Sequence, residues 1–161
     1  MNSGRILAVL ALVASVANAA AAQTGSQTVA IEVQAINVIY VTGSPSLVVA
    51  TAIVAGSDPT SVTSAAASWG VTTNQSGAKI TAALDVGMPV GTMLSANLAA
   101  PAGATSNGFT PLSVTAVDVI TGLTKQNAAA LGLSYKLDAT SAAGVVALTT
   151  RLVTYTITGG V

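Results

Sequence analysis

The stretch QTVAIEVQAINVIYV, residues 27–41, decides the fold class of this chain. It contains no Gly or Pro and one charged residue, and it is rich in β-branched residues, which favour strands. As a single strand it would extend about 50 Å at roughly 3.3 Å per residue, whereas a typical strand has about 5–6 residues. The sequence therefore predicts an unusually long first strand.

The same pattern continues through the rest of the chain. Apolar and polar residues alternate, and Gly, Pro, Asn or Asp interrupts them about every 8–15 residues, close to the spacing of a sandwich. This predicts an all-β fold, an Ig-like or jelly-roll-like antiparallel β-sandwich with an extended N-terminal strand. Residues 117–123 extend the sixth strand or form a separate one, and residues 126–132 could form one helical turn. The predicted strands cover residues 28–41, 47–54, 68–73, 79–84, 92–99, 112–116, 133–139 and 145–158.

Composition excludes several classes of function. The 161 residues are 52% hydrophobic but only 6% charged, with a net charge of zero, whereas an ordinary soluble protein has about 25% charged residues. No basic patch can form, so nucleic acid is not expected as a partner. The chain has no Cys and no His, which removes disulfides, thiol nucleophiles, imidazole bases and nearly all transition-metal sites. We expect no cofactor and no metal.

The N-terminus has the organisation of a secretory signal peptide. A short positive region ends at Arg5, residues 6–16 form an apolar core, and two small-x-small cleavage sites follow at residues 17–22. We therefore predict a signal peptide over residues 1–22, a donor-type strand over residues 23–36 and a sandwich domain over residues 37–161. The protein would be secreted to the extracellular space or cell surface, without membrane association after cleavage.

The first strand has two halves with different polarity. In its first half the even positions are polar, as at Glu32 and Gln34, whereas after residue 35 both faces are apolar apart from Asn37. The strand could bend at Asn37 and cross between the two sheets of its own sandwich. Alternatively, residues 28–35 could pair with a neighbouring subunit by β-strand addition. The apolar odd positions that would then enter the neighbour are Val29, Ile31, Val33 and Ala35.

Strand donation places a condition on the acceptor. Ordering eight residues has a conformational free-energy cost. Burying four apolar side chains and forming one hydrogen-bonded ladder gain about the same free energy, so the two nearly cancel. Tight association therefore needs pairing on both edges of the donor, inside a groove of an incomplete sandwich. Such a contact is head-to-tail and propagates into a filament. We expect the groove beside the last strand, lined by Val146, Leu148 and Leu152.

Three stretches of the chain carry a resemblance to known filament proteins. They are QTVAIEVQAINVIYVTG (27–43), SWGVTTNQSGAKITAALDVGMPVGTML (68–94) and VTYTITGG (153–160). With the signal peptide, they resemble donor-strand-complemented subunits, namely the TasA-like biofilm fibre proteins, the archaeal bundling pilins and related uncharacterised secreted bacterial proteins. The resemblance implies a non-enzymatic protein that forms a helical homopolymer, a pilus-like extracellular fibre of the biofilm type.

Catalytic signatures are weak. Ser76 and Lys79 fit the S-x-x-K spacing of serine–lysine enzymes, but that chemistry needs the pair on a helix, and here it lies across a predicted hairpin turn. The acidic residues are scattered singly, and Asp58 and Asp85 are better explained as turn residues. We predict that the protein is not an enzyme.

The alternative function is a secreted Ig-like module that binds cell-surface glycan. It would use Trp69, the only Trp, as an exposed stacking platform together with the loop at residues 101–108. The other interpretation of Trp69 is a core residue of the sandwich. Asn74-Gln75-Ser76 is an N-glycosylation sequence, which makes Asn74 a candidate modification site.

Overall fold

The computed structural model describes residues 22–161. The predicted signal peptide, apart from Ala22, lies outside the described residues. The chain divides into two compact units, Met1–Glu32 and Val33–Val161. Residues 22–32 of the first unit form neither helix nor strand, and the sandwich is formed by the second unit.

The second unit confirms the predicted all-β antiparallel sandwich. Its strands form a five-stranded sheet in the order β1-β2-β8-β4-β6 and a four-stranded sheet in the order β5-β7-β3-β9. Every pairing is antiparallel. The strands are β1 (Asn37–Thr42), β2 (Val62–Thr73), β3 (Ser76–Leu84), β4 (Thr92–Leu98), β5 (Thr105–Ser106), β6 (Thr110–Pro111), β7 (Val117–Thr124), β8 (Asn127–Ala139) and β9 (Val153–Thr158), with a 3-10 helix at Ser141–Ala143.

The core lies between the two sheets and follows the predicted period of two. In β3 every second side chain is buried, and the same face of β4 is buried, because successive residues of a strand point to opposite sides. Trp69 on β2 is completely buried, as the core interpretation predicted. The largest fully buried apolar side chains are Trp69, Ile80, Leu98, Val119, Ile120, Leu123 and Leu133.

Two of the predicted elements near the middle of the chain were wrong. Residues 127–132 belong to β8, and Gln126 precedes it, so there is no helical turn, because pairing with β2 outweighs the helix propensity of alanine. The predicted strand at 112–116 is replaced by the short strand Thr110–Pro111. Ala130 has a positive φ of 53°, and the β2–β8 ladder has a register shift beside it. These irregularities break the simple alternation on which the prediction relied.

The predicted first, second and last strands are shorter than expected or missing. Residues 28–36 form no strand, and β1 begins at Asn37. Residues 47–54 form only an isolated bridge from Ala52 to Pro59, and β9 begins at Val153 rather than at residue 145. These sequences have the strand pattern, but in this part of the chain they have no neighbouring strand with which to form a ladder.

One outward-facing aromatic residue fixes the edge strand. The Tyr40 ring lies over Gly70, and a Cβ added at Gly70 would lie 2.3 Å from Tyr40 Cε1. The Tyr40 hydroxyl accepts a hydrogen bond of 3.0 Å from the Ala130 main-chain N–H. Glycine is therefore required opposite Tyr40, and the aromatic ring covers main chain that the glycine leaves bare.

Candidate functional site

The N-terminal segment joins the sandwich at one end, which we call the Asn74 end. It comprises residues 34–37, the β2–β3 turn at residues 74–75 and the last residues 159–161. Asn37 pairs with Thr73 at the end of β2. Ser76 and Val161 exchange main-chain hydrogen bonds of 2.9 and 3.1 Å. The start of β1 and the end of the chain therefore lie at the same end of the sandwich.

The opposite end contains an apolar groove with a volume of about 1170 Å³. It borders Val41, which lies near the far end of β1, and it borders Val153, where β9 begins. Its floor is the exposed end of the core, and its two walls are the irregular segments 43–52 and 143–152. The floor residues are Leu94, Tyr135, Leu137 and Tyr155.

The walls of the groove carry an excess of exposed apolar side chains. Val48 is 67% exposed and Leu148 is 97% exposed, although both residues line the groove. In the first wall Pro45, Leu47 and Val49 are half-buried and alternate with exposed residues, as in a strand. Exposed apolar side chains grouped in this way make the groove a candidate interaction site.

All three residues predicted to form the acceptor groove lie on its second wall. Val146, Leu148 and Leu152 line the groove, and each is exposed. The first wall was missed as part of the site. Its sequence signal was the strand pattern of residues 47–54. In the structure these residues form no ladder beyond the single bridge at Ala52, which leaves them available as a wall of the groove.

Hydrogen bonds fix the second wall at its two ends. Asp85 Oδ1 accepts from the Leu152 N–H at 3.0 Å, and the Asp85 N–H donates to the Leu152 carbonyl at 3.0 Å. Asp58 Oδ1 accepts from the Ser141 N–H at 2.9 Å, and Arg151 Nε donates to the Gly87 carbonyl at 3.1 Å. The two carboxylates thus hold main chain that is distant in sequence, and Asp85 Oδ1 also accepts from the adjacent Val86 N–H at 2.9 Å, which is a local contact within its own loop.

The groove continues onto two open strand edges. β1 and β9 are the end strands of their sheets on the same side, and they contact each other across the sandwich. Leu152 and Asp85 form a hydrogen-bonded pair, so alternation turns the main-chain groups of Val153, Tyr155 and Ile157 away from β3. The side chains of these three residues point into the core but are only half-buried. β9 therefore offers both an open edge and incompletely covered apolar side chains.

Two tyrosines meet at the floor of the groove. Tyr155 donates a hydrogen bond of 2.9 Å to the Tyr135 hydroxyl. Burial raises the pKa of Tyr155, and the neighbouring Tyr135 raises it further. Burial also raises the pKa of Tyr135, although the hydrogen bond from Tyr155 opposes that shift. Both phenols therefore stay protonated in the folded protein at pH values where an exposed tyrosine ionises.

The tyrosine pair predicts that the protein loses stability in alkali. Above pH 10 the unfolded chain releases phenol protons that the folded chain retains, so the free energy of unfolding falls by up to about 1.4 kcal/mol per pH unit for each tyrosine. We expect the free energy of unfolding of Tyr155→Phe, measured by urea titration, to fall less steeply between pH 10 and 11 than that of the unchanged protein. The lysines contribute equally to the slope of unfolding free energy against pH in both proteins, so their contribution cancels in the comparison. Equal slopes would contradict the role of Tyr155 in the alkaline loss of stability.

The predicted donor residues are strongly exposed. Val29, Ile31 and Val33 are 72%, 91% and 83% exposed, and Ala35 is also exposed. Val33 and Ala35 do not line the groove. The described part of the second unit therefore does not bring these two residues to the groove of their own sandwich.

The other residues singled out by the sequence have structural surroundings. Ser76 and Lys79 lie on β3 rather than on a helix, and Lys79 Nζ is 2.9 Å from Asp118 Oδ1. Trp69 is completely buried and cannot stack on a sugar. Asn74 Nδ2 donates to the Gln34 carbonyl at 2.7 Å, so the nitrogen that a glycan would modify already holds main chain. Among residues 22–161 no group of three His, Cys, Asp or Glu residues is placed to hold a metal ion.

No family model, curated protein or solved structure matches the chain. In the described residues, no helix is long and apolar enough to cross a membrane.

Proposed function

We propose that the chain is a secreted structural subunit that polymerises head to tail into an extracellular filament. Residues 28–33 of the predicted donor 28–35 enter the groove of the next subunit and add a strand beside β9, while residues 34–36 stay bonded to Asn74 of their own subunit. One observation carries the proposal: the N-terminal segment joins the sandwich at the Asn74 end, and the apolar groove lies at the opposite end. A donor at one end and an acceptor at the other make a heterologous contact, which extends into a fibre rather than closing into a dimer.

The chemistry of the donor matches that of the groove. The side chains of Val29, Ile31 and Val33 recur every second residue, so one face of the inserted strand is apolar. Burying each of them contributes about 1.5–3 kcal/mol. The main chain of the donor would pair with the open edge of β9 on one side and with the open edge of β1 on the other, which gives the two ladders that tight strand addition requires.

Charge also favours this occupant. Glu32 is the one charged residue in segment 28–35, and it lies on the face opposite the three apolar side chains. Arg151 is the one charged residue among those that line the groove. Opposite charges on donor and acceptor favour their encounter at low ionic strength. The resemblance to TasA-like fibre proteins and archaeal bundling pilins agrees with the same mode of assembly.

Assembly is tested with the predicted mature chain, residues 23–161, and a peptide. We expect filaments in negative-stain electron microscopy, with one subunit per repeat. A synthetic peptide of residues 23–36 should occupy free grooves at filament ends and stop elongation, which sedimentation of seeded samples measures. The matched control is the same peptide with Ile31→Asp, because a charge on the inserted face is expensive to bury. Chains that stay monomeric in all conditions, or elongation that is indifferent to the peptide, would rule the proposal out.

A further inference from the structure

The side chain of Asn74 holds the main chain just before β1. Its Oδ1 accepts from the Ile36 N–H at 2.8 Å, and its Nδ2 donates to the Gln34 carbonyl at 2.7 Å. Its own main-chain N–H donates to the Ile36 carbonyl at 3.2 Å. Gln75 Nε2 donates to the same Oδ1 at 2.8 Å. Three hydrogen bonds from one residue thus fix residues 34–36.

These contacts continue the β1–β2 ladder beyond the end of β2. β2 ends at Thr73, and the chain then turns toward Ser76 at the start of β3. A side-chain amide carries the same donor and acceptor pair as a peptide group. Asn74 therefore supplies, from its side chain, the next rung that the main chain of β2 no longer provides.

We propose that Asn74 is a positioning residue for strand donation, because it fixes where the donor segment leaves the sheet of its own subunit. The proposal rests on the proposed function. Gln34 and Ile36 are held on the side of β2, so when the donor is extended as a strand Val33 and Ala35 fall on the same alternating face as Ile39. The apolar face of the donor is thus set in register with the subunit that presents it.

Fixing this segment matters because flexible chain is costly to order. Each residue that is immobilised on binding opposes association through lost conformational entropy, and pre-organisation removes that opposition. Residues 34–36 are already held before the donor meets the next subunit. Removing the Asn74 side chain leaves the donor attached but lets it leave β1 in many directions.

The test compares Asn74→Ala with Asn107→Ala in the predicted mature chain. Asn107 is a matched control, because its Nδ2 also donates to a main-chain carbonyl, that of Asp118 at 2.8 Å. We expect Asn74→Ala to raise hydrogen exchange in a peptide spanning residues 33–38 roughly tenfold, as the loss of two hydrogen bonds implies. We also expect elongation of wild-type seeds to slow roughly tenfold, with both quantities unchanged in Asn107→Ala.

A conservative variant separates positioning from folding. Asn74→Asp keeps an acceptor for the Ile36 N–H but loses the donor to the Gln34 carbonyl, so we expect intermediate exchange and intermediate elongation. Unchanged exchange in Asn74→Ala, or faster exchange with elongation at the wild-type rate, would overturn the inference. The proposed function fails on a different result, namely assembly of a chain that lacks residues 23–35, and the exchange measurement remains decisive for the anchoring role in either case.

Discussion

Deleting residues 23–35 is expected to abolish polymerisation and leave a folded monomer. The deleted residues form no helix or strand where they are described, and Val29, Ile31 and Val33 are exposed. Their loss therefore removes the donor without removing core packing. The sandwich keeps β1, whose ladder with β2 starts at Asn37.

Sedimentation velocity and electron microscopy measure the loss of polymer, and circular dichroism with a urea titration checks the fold. We expect the midpoint of unfolding to change little, because the buried side chains of the core all lie beyond residue 36. Ile31→Asp in the full donor should block assembly as the deletion does, since it places a charge on the inserted face. Ala30→Asp, on the opposite face, is the matched control and should assemble. Filaments that persist after the deletion would refute donation by this segment.

A charge on the second wall of the groove is expected to abolish assembly from the acceptor side. Leu148 lines the groove and is 97% exposed, so Leu148→Asp should leave the stability of the subunit nearly unchanged. Once a donor covers the wall, the new carboxylate would lose its water without gaining a partner, which costs several kcal/mol. Val145→Asp is the matched control, because Val145 is equally exposed on the same segment but does not line the groove.

Mixing the two assembly-deficient variants is the strongest test of whether the contact between subunits is head to tail. The chain without residues 23–35 has an intact groove and no donor, whereas Leu148→Asp has a donor and a damaged groove. In a head-to-tail contact the pair should form a one-to-one dimer and nothing longer, which sedimentation equilibrium resolves. A contact that does not pair this donor with this groove would give no such complementation, and that result would contradict the proposal.

The sequence alone determined the fold class and most of the core. The alternating pattern predicts one shared face at Ile80, Ala82 and Leu84 and an inward face at Leu94, Ala96 and Leu98, and all six side chains are buried, because a strand with one buried face must alternate. For Trp69 the sequence left two interpretations, a core residue and an exposed stacking platform, and the structure decides for the core. The absence of Cys and His, and the very low charge, are properties of composition and needed no structure.

The lengths of the strands were decided only by tertiary structure. Residues 28–36, 47–54 and 145–152 have the strand pattern, yet they form no ladder beyond one bridge. A strand exists only where a second edge pairs with it, and pattern says nothing about the partner. The opposite error occurred at residues 127–132, where pairing with β2 made a strand from residues that favour a helix.

The candidate site shows the same division. The sequence identified an apolar donor face and, in Val146, Leu148 and Leu152, one wall of the groove. The first wall of the groove, the tyrosine pair at its floor and the hydrogen bonds of Asn74 depend on residues that are far apart in the chain, with 20 positions between Tyr135 and Tyr155 and 40 between Asn74 and Gln34. Such contacts depend on how the sheets stack. The alternation of residues in the sequence determines which face of a strand a side chain occupies, whereas the tertiary structure determines which residues it contacts.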